Sequence, residues 1–127
     1  MKEALGMIET RGLVAAIEAA EHGAEVTIFE RNDRVGKKIL ATGNGKCNLS
    51  NRKMDLSCFH TLDKKKLATC LDRFHVEDTI VFFEKLGMMI KDKNGYLYPA
   101  SEQAAVLLDV LRIAIAKKKV CVKTECK

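Results

Sequence analysis

The chain has 127 residues, of which 47% are hydrophobic and 31% charged, with a formal net charge of +5. That balance excludes a disordered tail, and one Pro with 8 Gly excludes a collagen-like or Pro-rich segment. The length suits one ordinary domain with a small core, and the apolar runs are far shorter than the ~18 residues that a membrane-crossing helix needs.

The start of the chain, MKEALGMIETRG, lacks the apolar stretch of a secretory signal. Residues 12 to 22 read as a helix, because Leu13, Val14, Ala16, Ile17 and Ala20 recur at helical spacing. Gly23 supplies its stop. The following Glu25–Glu30 run, β-branched and aromatic, reads as a buried strand. A helix feeding a strand through a glycine is half of a βαβ unit.

Residues 31 to 53 concentrate the charge. Arg31, Arg34, Lys37, Lys38, Lys46, Arg52 and Lys53 stand against Asp33 alone, +6 in one segment that also carries Gly36, Gly43 and Gly45. Such a loop suits an anionic ligand, and equally suits a solvated basic surface. It is not a nucleotide-hydrolase P-loop: Leu40 stands where the first Gly belongs and Cys47 where the metal-binding hydroxyl belongs. No aromatic residue interleaves with these cations, which argues against a nucleic-acid surface.

Further along, Asp63 is expected to cap a helix carrying Leu67, Cys70 and Leu71. A second helix is expected over Val76 to Leu86, with Val76, Ile80 and Phe83 on one face and Gly87 as its stop. Met88–Ile90 and Tyr96–Tyr98 read as a hairpin across an Asn-Gly turn. Ser101 is expected to cap a helix reaching Lys117, with Ala104, Leu108, Leu111 and Ile115 inward, and Val120–Glu125 reads as a last strand. The organisation is one domain over 1–127. It comprises a helix–strand–basic loop over 12–53, a mostly helical part with a hairpin over 57–117, and a sheet strand over 120–125. The five cysteines form no CxxC, and His22, His60 and His75 have no metal-ligand spacing, so no metal site is expected. The cysteine pattern fits reduced thiols and a cytoplasmic setting.

The helix, the strand ending in Glu30 and the run ERNDRVGKKILATGNGKCNLSN closely resemble the front of a bacterial family of NAD(P)/FAD-dependent oxidoreductases, the aminoacetone oxidase family FAD-binding group. GYLYPASEQAAVLLDVL and VCVKTECK extend the likeness over nearly all of the chain after residue 11. The resemblance implies an α/β, Rossmann-like FAD-binding domain with a helical and hairpin insertion. It also implies NAD(P)H as electron donor and an organic acceptor or oxygen. Gly12 matches the third glycine of the family's G-x-G-x-x-G turn, while Met7 and Glu9 stand at the first two. The first strand and part of the glycine turn are therefore expected to be missing. An altered or truncated start would leave a sheet edge open to pairing with another chain.

By the same resemblance, Glu30 would accept hydrogen bonds from the adenosine ribose, with Arg31 nearby. Gly36, Lys37 and Lys38 would meet the phosphates. Thr42, Gly43, Asn44, Gly45, Lys46, Cys47 and Asn48, matching T-G-N-G-[RK]-C-N, would lie along the flavin. No catalytic acid, base or nucleophile stands out, and the isolated chain is expected to be inactive. A non-enzymatic remnant without cofactor and a basic nucleic-acid-binding module are the alternatives.

Overall fold

A computed structural model of the chain describes residues 10–127. The expected loss of a first strand, with Met7 and Glu9 in the glycine turn, falls outside the described residues.

Helix α1 (Thr10–Glu21) buries Leu13, Ala16 and Ile17, the stripe expected from the spacing. Gly23 ends it in a left-handed conformation, φ 84°, where the Ala24 N–H reaches the Ala19 carbonyl and the Gly23 N–H that of Ala20. The chain then reverses into β1 (Thr27–Phe29), which is shorter than the Glu25–Glu30 run. Only Ile28 of β1 is buried, and Phe29 lies open with Lys123 Nζ 5.6 Å over its ring. Among the described residues β1 pairs only with β5 (Cys121–Lys123), in parallel, Ile28 opposite Val122. The Val120–Glu125 strand contracts to those three residues. Glu125 takes φ 55° and turns its N–H onto the Asn32 carbonyl instead of continuing the ladder.

The basic segment, read as a loop, is in fact folded. Lys37–Gly45 winds into 3₁₀ turns interrupted at Thr42, Gly43 and Asn44. Two short elements carry no sequence pattern long enough to read: β2 (Ser50–Asn51) and a 3₁₀ turn over Leu56–Cys58. Helix α2 (Lys64–Arg73) starts where expected, Asp63 Oδ1 accepting the Lys66 N–H at 2.9 Å. Helix α3 (Val76–Lys85) buries Phe83, and its first turn is fixed by Asp78, whose carboxylate accepts the His75 N–H at 2.6 Å.

The hairpin forms with Asn94 and Gly95 both at positive φ, as its sequence requires, but it is displaced along the chain. Its strands are β3 (Ile90–Lys93) and β4 (Tyr96–Pro99). Met88 is withdrawn from the strand because its N–H closes the end of α3 on the Phe83 carbonyl. β2 adds antiparallel to β4, giving a three-stranded sheet of order β2-β4-β3. Ser101 does not cap the next helix. Glu102 takes φ 56° after Pro99, and α4 (Ala104–Lys117) starts from Gln103 without a side-chain cap.

Helix α4 organises the core. Leu107, Leu108, Leu111 and Ile115 are buried together with Leu13 and Ile17 of α1, Ile28 of β1 and Ile39 of the 3₁₀ segment. Lys118 at the end of α4 pairs with Glu21 at the end of α1, so the two helices run in the same direction. The 3₁₀ segment crosses α4 the other way: Val35 meets Arg112, Gly36 meets Leu108, and Lys46 acts on Glu102. At Gly36 the two approach so closely that a Cβ would lie 2.3 Å from Leu108 Cδ1, with φ at 79°.

Gly36→Ala should therefore destabilise the fold by roughly 2–4 kcal/mol, left-handed strain plus a clash with a packed side chain. Gly23→Ala has a similar φ of 84° and nothing within 4 Å, so it should cost only about 1 kcal/mol. Urea unfolding of the two variants measures the contrast, and equal losses would contradict the contact at Leu108.

Candidate functional site

The short turn from α1 into β1 sets the carboxyl end of β1 beside the amino end of α1, the end of a Rossmann-type layer where nucleotides bind. Glu30 follows β1 there. It is 8% exposed, the one buried charged side chain among the described residues. A buried Glu is rare without a partner, and no lysine or arginine among the described residues pairs with it. Its partners are local. The Asn32 backbone N–H and the Asn32 Nδ2 both donate to Glu30 Oε1 at 2.8 Å.

The backbone around this carboxylate is pinned from the far end of the chain. The Glu30 N–H donates to Lys123 O at 2.8 Å, the Glu30 carbonyl accepts the Cys126 N–H at 3.0 Å, and the Asn32 carbonyl accepts the Glu125 N–H at 3.0 Å. The site is thus a strand end clamped by the turn that follows β5. Gly12 lies half-buried in the first turn of α1, and Arg31 is exposed.

The glycine-bearing residues divide into two groups. Gly36 packs into the core against α4, and Arg112 Nη2 donates to the Val35 carbonyl at 2.8 Å just before it. Lys37 is exposed and pairs with Asp33 at 2.5 Å, and Lys38 is exposed. The second group, Thr42 to Asn48, closes on itself. Lys46 N–H donates to the Gly43 carbonyl and Cys47 N–H to the Thr42 carbonyl, each at 3.1 Å, while Thr42 Oγ1 donates to Ile39 O at 2.7 Å. Gly43 and Asn44 share φ 53°, and a Cβ on Gly43 would come within 3.0 Å of the Asn48 nitrogen. Cys47 is buried with φ 55°, and Asn48 is exposed. The N–H groups of Lys46 and Cys47, which a phosphate would use, are already held by the segment's own carbonyls.

The structure therefore brings Thr42, Gly43, Lys46, Cys47 and Asn48 together, and binds Glu30 to Asn32 and to residues 123–126. Gly36 serves the α4 contact. Lys46 adds to the charge around Glu102, whose carboxyl is held below its ordinary range by its bond to Lys93 and by the nearby charges of Lys93, Lys91 and Lys46. A shallow open hollow lined by Leu56, Ser57, Phe59, His60, Thr61, Leu62 and Lys64 contains none of these residues. No helix of the described residues is long and apolar enough to cross a membrane, and these residues hold no cluster of three metal-ligating side chains.

Two residues that shape the site were not singled out in the sequence. Asn32 had a readable signal, because Asn side chains in turns tend to hydrogen-bond to groups a few residues away. Arg112 had one too: a single cation between the inward-facing Leu108, Leu111 and Ile115 of an otherwise apolar helix face.

A parallel strand pair, a helix entering at the strand's carboxyl end and a buried carboxylate there define a Rossmann-like α/β domain. The HI0933-like protein Rossmann domain family matches residues 10–127, and the chain belongs to it. This bears out the likeness of the Glu30 and T-G-N-G-K-C-N runs to bacterial FAD-dependent oxidoreductases. The chain is 45% identical over 115 residues to the 3-dehydro-bile acid delta(4,6)-reductase of Clostridium scindens, covering 89% of this chain and 28% of that protein. It is 28% identical over 102 residues to a ribosomal RNA dihydrouridine synthase of Haemophilus influenzae, covering 80% of this chain and 25% of that one. The chain thus spans about a quarter of the length of these curated relatives. The crystal structure of Thermovibrio ammonificans THI4 shares the fold, with a TM-score of 0.55 and 19% identity over 91% of this chain and 35% of that one.

The carboxyl of Asp33 is held below its ordinary value of 3.8, first by the hydrogen bond from Lys37, with the charges of Lys37 and Arg34 adding and partial loss of water opposing. A carboxyl with a lowered folded-state value stabilises the fold above its unfolded value and loses that contribution as pH falls through the folded value. The Asp33–Lys37 tie should accordingly persist at neutral pH and release only under acid. Carbon-13 NMR titration should place Asp33 below 3.8, and Lys37→Met should return it toward that value. An unchanged titration in K37M would reject the pairing.

Proposed function

We propose that this chain is the FAD-binding portion of a flavin-dependent, NAD(P)-linked oxidoreductase. The observation that carries the reading is the buried Glu30 carboxylate at the carboxyl end of parallel strand β1. One of its oxygens is fixed by Asn32, and the other, Oε2, has no donor among the described residues. An acceptor oriented in that way fits the hydroxyl-rich ribose at the adenosine end of FAD.

In this reading Glu30 Oε2 accepts a hydrogen bond from a ribose hydroxyl, and Arg31 flanks the adenosine. Gly12 lies in the first turn of α1, where backbone N–H groups and the helix dipole favour the pyrophosphate. Lys37 and Lys38 supply positive charge near the phosphates. The folded segment from Thr42 to Asn48, with Gly43, Asn44, Gly45, Lys46 and Cys47, forms a wall along the flavin. Its Lys46 and Cys47 N–H groups are spent internally, so what it offers is shape and the Lys46 charge. FAD, when bound, supplies the hydride chemistry, and the protein binds and orients it.

The activities for which these relatives are named support a redox role. One is named a reductase, and the other a synthase of dihydrouridine, a reduced nucleoside. The reaction we propose for the whole protein passes hydride from NAD(P)H through FAD to an unsaturated organic acceptor.

FAD titrated into the chain should quench flavin fluorescence saturably, and Glu30→Ala should weaken binding about 10- to 100-fold, the worth of a hydrogen bond to a charged group. Equal FAD affinity in wild type and E30A, or none in wild type, would defeat the assignment.

A further inference from the structure

Glu30 carries an asymmetry that its position at the strand end does not by itself require. Both Asn32 donors converge on the same oxygen, Oε1, at 2.8 Å each. Meanwhile the Asn32 carbonyl is held by the Glu125 N–H, and the Glu30 backbone is bonded on both sides, to Lys123 and Cys126. The backbone of the turn is therefore fixed without help from the Asn32 side chain. What Nδ2 adds is a second donor on Oε1, which holds the plane of the carboxyl group and with it the direction in which the other oxygen points.

We propose that Asn32 is a positioning residue that locks the Glu30 carboxylate so that a single oxygen, Oε2, faces the ligand. The site then recognises an adenine nucleotide through a ribose hydroxyl, and the strength of that recognition depends on the Asn32 amide. This rests on the reading of Glu30 as the ribose acceptor. The physical reason is preorganisation. A carboxylate free to turn must be immobilised when ligand binds, whereas one already held by two donors meets the hydroxyl in place.

Asn32 is separable from a residue needed only for folding. Truncation at Cβ leaves the Asn32 N–H on Oε1 and the Asn32 carbonyl under Glu125, so the turn keeps its backbone bonds. Asn32→Asp keeps the shape but sets a second acceptor against Oε1, which turns attraction into repulsion.

The test uses ADP, 2′-deoxy-ADP and 3′-deoxy-ADP as probes, titrated calorimetrically into the chain and its variants. Wild type should prefer ADP to at least one deoxy analogue by about tenfold, as expected for a hydrogen bond to a carboxylate. Asn32→Ala should bind ADP about threefold to tenfold more weakly and lose most of the discrimination, with a melting temperature within about 2 °C of wild type, because no buried contact is removed. N32D should lose the discrimination as well, and being isosteric it carries the test if N32A melts early. Full discrimination retained in both variants overturns the role of Asn32 and leaves the FAD assignment standing. A wild type that binds ADP without regard to either hydroxyl, or does not bind it, overturns both.

Discussion

The close approach of the 35–46 segment to α4 is the constraint on which the rest of the structure depends. A helix whose inward face is Leu107, Leu108, Leu111 and Ile115 must be covered on several sides, and α1 alone is too narrow to do it. The chain meets this need by laying its most basic stretch across the helix. Gly36, without a side chain, lets the backbone touch Leu108, and Val35 and Ile39 turn inward on either side of it. Arg112 satisfies the Val35 carbonyl, which would otherwise lose its hydrogen bond near the core. A segment that reads as a ligand loop is thus also a wall of the core. Its glycine at position 36 answers to packing before it answers to any cofactor.

The same arrangement fixes the strand end. Because α4 leads into β5 within a few residues, the helix position determines where β5 pairs with β1. Lys119 at φ 56° makes the turn, and the Val120 N–H closes on Ile115. Residues 123–126 then fold over Glu30 and Asn32. The acidic residue and the turn that clamps it lie almost a hundred positions apart in sequence. They meet because a parallel pair requires a long crossover, which the hairpin and helices between them supply.

What the sequence revealed follows the length of the periodic signals. Helices α1, α3 and α4 were legible from three or more apolar residues at helical spacing, and the hairpin from Asn94-Gly95. Elements of two or three residues were not, because β2 and the Leu56–Cys58 turn are set by their partners rather than by local pattern. The capping of α4 was misread for a related reason. Ser101 is a good cap by type, but the left-handed Glu102 places Ser101 Oγ against the Gln103 N–H, one residue before the helix begins. At the site, Glu30 was legible from its place after the helix–strand unit. The internal pairing of the Lys46 and Cys47 amides was not, since a run of residues at positive φ can turn its donors outward to a ligand or inward to itself.

Charge shows the same limit in another form. Counted along the chain, residues 31 to 53 carry +6. Counted in space, much of that charge meets carboxylates: Asp33 on Lys37, and Glu77 and Asp92 together on Arg52. Lys46 faces Glu102, which Lys93 already binds. Three of those four acids come from beyond residue 75, so the fold imports negative charge to the basic stretch. Exposed ion pairs of this kind contribute little stability, yet they reshape the potential a ligand meets. A polyanion would find the segment partly neutralised along its length, whereas a compact ligand with one charged group between two neutral ends needs only the neighbourhood of the strand end. The spatial distribution of charge, more than its total, therefore sets the potential around the strand end.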